Sequence, residues 1–434
     1  MGAVLLASAG HHGLVSETVT IFVVLLAGAA VVGVLTKFIR IPYTIALVLA
    51  GLFVALMQSA PENAVITEEL VLVLFLPPLL FQAGLHLDLE QLQRKAAVVA
   101  MFAVPGVILS MCGVGVAVKP FLPDDSALPV SPWLAALLFG AMLAPTDPIS
   151  VLATFKTAKA PEGLKTLVEG ESLFNDGTGV VLFLILFAAI FPASGHDALA
   201  PISVAGAVQE FIKVAGLGLI MGLGLGLIAL WLLKKLDDHV LENAITIVLT
   251  WGSFIVSERI GGSGVIAVVV AGLIMGNYGQ RLAMSKRTSE TINTFWESID
   301  FIVNSIVFLL MGFELQAIGG YQALLHPAVL LAVVVVFLAI LAVRAVMVYS
   351  AALLYGRHWP GGWKHVVFWA GMRGSIPLAL ALGLPGGELK AFMVPVAFGV
   401  VLVSLLLQGL TMPCLLRVTG VSASGSRAEP PADD

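Results

Sequence analysis

The chain has 434 residues, of which 59% are apolar and only 11% charged, where a soluble domain carries about 25% charge. Hydrophobic stretches recur along its whole length, each long enough to cross a bilayer core of about 30 Å. Water is therefore not its main solvent, and the net charge of −5, without a basic patch, gives nucleic acid no footing.

Met1–Gly13 lacks a basic n-region, so no cleaved signal peptide is expected. Thirteen predicted spans follow, at about 15–36, 41–58, 67–87, 96–118, 132–155, 164–191, 204–233, 240–257, 262–277, 293–316, 326–355, 363–384 and 391–416. The expected fold is an all-α polytopic membrane protein of about thirteen transmembrane helices. Cys112 and Cys414 fall in separate apolar segments and read as small hydrophobes, not a disulfide. Residues 422–434 (SASGSRAEPPADD) are polar and expected to be disordered.

Basic residues orient the spans. With the N-terminus outside, the inner side gathers sixteen of them, from Lys37, Arg40, Arg94 and Lys95 through Lys156, Lys159 and Lys165 to Arg417 and Arg427. Only Lys119, Lys213, Arg259 and Lys390 fall outside, and the C-terminus is then cytoplasmic. The expected location is the cell (inner) membrane.

Thirteen spans divide as six, one and six. A single intervening span inverts the second group of six relative to the first, an arrangement found in secondary transporters. The fifth span then corresponds to the twelfth, and both are interrupted. One carries Ala144-Pro145-Thr146-Asp147-Pro148, the other Gly371-Met372-Arg373-Gly374-Ser375-Ile376-Pro377. Matched interruptions point to a substrate site.

Ionisable groups within spans are costly and usually functional. The fifth and sixth spans hold Asp147, Glu171 and Asp176, while the eleventh and twelfth hold Arg344 and Arg373. On a helix, Ser172 and Asp176 share one face, and Glu171 and Asn175 share another about 100° away. The first face offers a hydroxyl and a carboxylate to an ion. The second offers a carboxylate and an amide to a structural partner, Arg344 or Arg373. Pro145 and Pro148 should leave the carbonyls of Ala141 and Ala144 without helix donors. Those carbonyls, Thr146 and two carboxylates would form an all-oxygen site suited to a hard ion such as Na+. A carboxylate removed from water can hold a proton or a cation, but not both, and that alone suffices for exchange.

These residues resemble those of sodium/proton exchangers of the NhaP and NHE type, in the cation/proton antiporter superfamily. Four elements carry the resemblance: Thr146-Asp147-Pro148, Gly170-Glu171-Ser172-Leu173-Phe174-Asn175-Asp176-Gly177, Phe301 to Leu315 (FIVNSIVFLLMGFEL) and Gly371-Met372-Arg373-Gly374. The resemblance implies a secondary antiporter that exchanges Na+ or Li+ for H+, with no cofactor and no enzymatic activity. It implies that Asp176 binds cation and proton, with Asp147, Ser172 and Thr146 completing the ion shell. Glu171 and Asn175 would be braced by Arg344, and Arg373 would support the broken twelfth span. Asn175 before the Asp implies electroneutral one-for-one exchange. A homodimer is implied, whose transport core (93–192 and 326–418) moves against a scaffold. The scaffold comprises 13–92 (helices 1–3) and 200–317 (linking helix 7 and helices 8–10), and 419–434 form a cytoplasmic tail.

Other readings stand beside this one. Glu171 with Arg344 reads as a structural pair rather than an ion ligand. Glu297, Asp300 and Asn304 share a helix face and form either a negative entry funnel or a polar helix contact. Gly216, Gly218, Gly222, Gly224 and Gly226 read as close helix packing, and the histidines as solvated loop or span-end residues. A K+/H+ exchanger on the same fold is the nearest rival. A cation channel lacks a filter loop, and a hydrolase built on Ser263 lacks a histidine at matching depth.

Overall fold

The computed structural model describes residues 22–36, 38, 43–57, 70–122, 131–147, 149–191, 204–236, 238–317, 320–355 and 359–421. Pro148, the stretch before residue 22 and the tail beyond residue 421 lie outside these. Most of the described helices fall into the thirteen predicted spans, and short helices at Leu89–Arg94 and Gly320–Leu325 lie between spans. The first three are α1 (Phe22–Thr36), α2 (Tyr43–Met57) and α3 (Leu76–His86, entered through a π-helical turn at Leu70–Phe75). Next come α4 (Ala96–Phe121), α5 (Pro132–Met142 and Ile149–Ala158) and α6 (Glu162–Ile190). The middle of the chain forms α7 (Val204–Leu233), α8 (His239–Arg259), α9 (Gly264–Leu282) and α10 (Lys286–Ala317). Last are α11 (Pro327–Tyr355), α12 (Trp363–Trp369 and Ser375–Leu382) and α13 (Glu388–Val418).

Eight of these are long and apolar enough to cross a membrane unaided. The rest are shorter or, like α5 and α12, broken, so their place as spans comes from packing between longer neighbours. The breaks have local causes. Proline 145 has no N–H to continue the ladder, so the first half of α5 ends with Leu143 N–H on the Phe139 carbonyl and Ala144 N–H on that of Ala141. In α12, Ala370 and Met372 close a tight turn ahead of the irregular Arg373-Gly374 pair.

Two sets of helices pack closely among themselves. In one, α2 lies along α10, α3 along α9, and α7 and α8 both against α9. In the other, α4 contacts the first half of α5 and α11, α5 contacts α6, and α13 contacts α11 and α12. They meet where the second half of α12 touches α10 and where α6 touches α7 and α9. The glycine run in α7 serves one such contact: Gly218, Gly222 and Gly226 face α9 so closely that a Cβ would strike Ser263, Ala267 or Ile274. Gly216 and Gly224, on other faces, have open space around them. Cys112 and Cys414 are unpaired and exposed on the helix bundle.

Candidate functional site

The two breaks meet. The Asp147 N–H donates to the Met372 carbonyl (2.8 Å), tying the interrupted α5 to the interrupted α12 through their backbones. A Cβ on Gly374 would fall within the Asp147 carboxylate, so only glycine permits this approach. α6 passes alongside and docks on Thr146 through three consecutive polar contacts. Asp176 Oδ1 accepts from the Thr146 N–H (3.0 Å), Ser172 Oγ donates to the Thr146 carbonyl (2.5 Å), and Asn175 Nδ2 donates to Thr146 Oγ1 (3.3 Å). Thr146, Asp147, Ser172, Asn175 and Asp176 are all buried. The i,i+4 spacing of Ser172 and Asp176 thus grips the amide and carbonyl that proline frees.

The arginines hold different things. Arg344 pairs both guanidinium nitrogens with the Glu171 carboxylate, one bond measuring 2.8 Å, and also donates to the Val367 carbonyl (2.8 Å). Arg373 donates to the carbonyls of Ala144 (2.5 Å) and Pro145 (3.0 Å), and reaches Ser110 Oγ (3.4 Å). Positive charge there matches the exposed carbonyl end of the first half of α5. From α13, Ser404 Oγ accepts the Arg373 N–H (3.0 Å) and donates to Gln408 (2.6 Å), whose amide reaches the Trp369 carbonyl (3.2 Å).

These contacts change two expectations. The carbonyls of Ala141 and Ala144 do not stand open toward an ion, because the Ala144 N–H and Arg373 already donate to them. Asn175 is not braced by Arg344; its amide turns to Thr146 instead. The oxygens left to face an ion are those of side chains. Sequence reading missed Ser110, Ser404 and Gln408. Their signal is the rarity of polar side chains in apolar spans, and the i,i+4 spacing of the last two.

A cavity of about 820 Å³ leads to this cluster. Asp147, Asp176, Thr146 and Ser172 line its deep part, with Asn304 and Ser375 beside them, and Lys156, Lys159, Lys165, His86 and Glu297 line its approach. Asp300 lies between, half-buried. Glu297 is exposed and sits 3.9 Å from the His86 imidazole. The two acids of the postulated funnel thus border the same water-accessible path as the paired aspartates. Among the described residues no cluster of three His, Cys, Asp or Glu has metal-holding geometry. Ser263 Oγ caps α9 by accepting the Ile266 N–H (3.1 Å), a structural use of its hydroxyl.

A family model described as the transmembrane sodium/hydrogen exchanger matches residues 21–418. The chain belongs to the sodium/hydrogen exchanger family. Among relatives of this exchanger, the Na+/H+ antiporter ApNhaP of Aphanothece halophytica is 36% identical over 424 residues, covering 96% of this chain and 77% of that one. The Na+/H+ antiporter NhaG of Bacillus atrophaeus is 39% identical over 414 residues, covering 92% and 74%. The structure of the sodium proton antiporter MjNhaP1 from Methanocaldococcus jannaschii at pH 8 matches with a TM-score of 0.74 at 19% identity, covering 91% of this chain and all of that one. The exchanger thus has the all-helical polytopic fold of that structure, and the NhaP-type resemblance read from its motifs holds.

Proposed function

We propose that this exchanger moves Na+ or Li+ against H+, one for one, with Asp176 holding either the cation or the proton. The observation that carries the reading is the position of Asp176, deep in the cavity beside Asp147, with no guanidinium bonded to it among the described residues. Removal from water disfavours a bare carboxylate, so Asp176 is complete only when a proton or a cation joins it. Asp147, the Ser172 hydroxyl and Thr146 supply the neighbouring oxygens for a hard cation. Glu171 and Arg344 cancel each other, and Arg373 offsets one of the two aspartates. One negative charge is left, matched by one Na+ or one H+, which supports electroneutral exchange. The names of the relatives support sodium as the cation.

The two helix sets support a division of labour. We assign α4–α6 and α11–α13 to a core that carries the site, and α1–α3 and α7–α10 to a scaffold through which two copies dimerise in the cell membrane. The cavity approach, with its lysines, faces the cytoplasm, and Glu297 and Asp300 draw cations into it. The chain carries out no covalent chemistry and calls for no cofactor.

The deciding experiment uses proteoliposomes with a lumenal pH dye, an imposed pH gradient and a voltage clamp by valinomycin and K+. Wild type and Asp176→Asn receive Na+, Li+ or choline, and a parallel set without valinomycin receives K+. Voltage-insensitive proton movement triggered by Na+ or Li+, absent in the variant, is the expected result. A response to K+ alone changes the cation, and full activity of Asp176→Asn overturns the site.

A further inference from the structure

We propose that Ser375 is a further oxygen ligand of the transported cation, its lone pairs turned toward the ion by Asp300 acting through Asn304. The inference rests on the assignment of Asp176 as the cation site.

Ser375 opens the second half of α12, directly after the Gly374 that presses on Asp147, and it lines the same cavity as Asp147 and Asp176. It is 4% exposed. Its Oγ donates to Asn304 Oδ1 at 2.6 Å. Asn304 in turn donates from Nδ2 to Asp300, to the carboxylate Oδ1 (2.9 Å) and to the main-chain carbonyl (3.0 Å). While the Asp300 carboxyl is ionised, both groups on Asp300 that meet the Asn304 side chain are acceptors, so the amide presents its NH2 to them. Its oxygen is thereby turned toward Ser375.

A hydroxyl has one proton and two lone pairs. Once the Ser375 proton is directed to Asn304, the side chain turns lone pairs to the cavity, as an oxygen ligand of a hard cation must. With the amide reversed, NH2 would face Ser375, and the serine proton would turn to the cavity and repel a cation. The Asp300 carboxylate and its own main-chain carbonyl together oppose the reversal, and the carboxylate is the part that a substitution can change. Because α10 and α12 lie in different helix sets, this oxygen is held in place only while the two sets are in their present register. The cation therefore gains or loses a ligand as they move.

The test compares wild type, Ser375→Ala, Ser375→Thr, Asp300→Asn and the Asp300→Asn/Ser375→Ala double variant in proteoliposomes. Apparent KM for Na+ and Li+ and the maximal rate are measured at low and high choline chloride. Loss of a ligand to a charged partner should raise the Na+ KM about tenfold in Ser375→Ala, shift the Li+/Na+ ratio and leave the maximal rate within about twofold. Ser375→Thr, which keeps the hydroxyl, should retain the wild-type ratio. At high salt, which screens general attraction, Asp300→Asn should mimic Ser375→Ala and add nothing to it in the double variant. An unchanged KM and ion ratio in Ser375→Ala, or fully additive effects, overturns the proposal. Should Ser375→Ala fail to fold, an unchanged Li+/Na+ ratio in Asp300→Asn at high salt does so. If wild type itself shows no cation-triggered proton movement, or Asp176→Asn keeps it, the reading of Asp176 falls first, and these arms separate the two failures.

Discussion

Arg344 and Glu171, separated by 173 residues in sequence, join through two guanidinium–carboxylate bonds with side chains only 5% and 2% exposed. A Cβ on Gly371 would press on the same guanidinium, so the pair also fixes the approach of α12 to α11. Removing one partner of a buried pair strands the other charge, at a cost of about 3–5 kcal/mol, whereas replacing both by apolar groups is often neutral. Glu171→Gln should therefore lower the melting temperature in detergent markedly. Glu171→Leu combined with Arg344→Met should recover most of the loss. If the double replacement is as unstable as the single one, the pair contributes more than charge cancellation.

Much of this architecture is legible in the sequence because its signals are local. Hydropathy places the thirteen spans, and proline and glycine place both breaks. The Ser172–Asp176 spacing predicts a shared face, found gripping Thr146. What the sequence leaves open is pairing across distance. Either arginine satisfies the charge count, and only the helix crossings send Arg344 to Glu171 and Arg373 to the α5 carbonyls. The same holds for Asn304 and Ser375, 71 residues apart. Free carbonyls at Ala141 and Ala144 follow locally from proline, but the Ala144 N–H turns back onto the first and a guanidinium arriving from α12 takes the second.

Arg373 carries a second prediction. Its Nη1 donates to two successive carbonyls of the α5 break while Nη2 reaches Ser110 Oγ on α4, so the two prongs of the fork join the break to a second helix, a span that the single ammonium of lysine cannot copy. Arg373→Lys keeps the charge, yet should reduce the exchange rate at least about tenfold, because a misplaced Thr146 misplaces its hydrogen bond to Asp176. Initial rates in proteoliposomes, normalised to folded protein, check this. Near-normal exchange in Arg373→Lys would mean that charge alone is sufficient at the break.

Glu297 tests the funnel. Its carboxylate is exposed at the cavity approach, so it can act on cations through the field rather than by contact. Surface fields of this kind are screened over about 8–10 Å at physiological salt. Glu297→Gln should raise the apparent KM for Na+ about twofold at low ionic strength, and the difference should vanish in high choline chloride. A KM shift that persists at high salt would place Glu297 in the ion shell instead.

The last prediction concerns pH. If one carboxylate takes either ion, protons are competitive inhibitors of cation binding on the same side of the membrane. Raising pH removes the competitor, so the apparent KM for Na+ must fall with increasing pH. The slope approaches about tenfold per unit where protonated Asp176 dominates and flattens where it does not. The exchange rate at saturating Na+ should decline again at the alkaline end, because the return step needs a proton and few remain to bind. Symmetric-pH exchange, followed by radioactive sodium uptake across a pH series, separates the two effects. Competition gives a KM that moves with pH at a nearly constant maximal rate over the acid half of the range. A KM independent of pH, with only the maximal rate changing, would place the proton on a group other than Asp176.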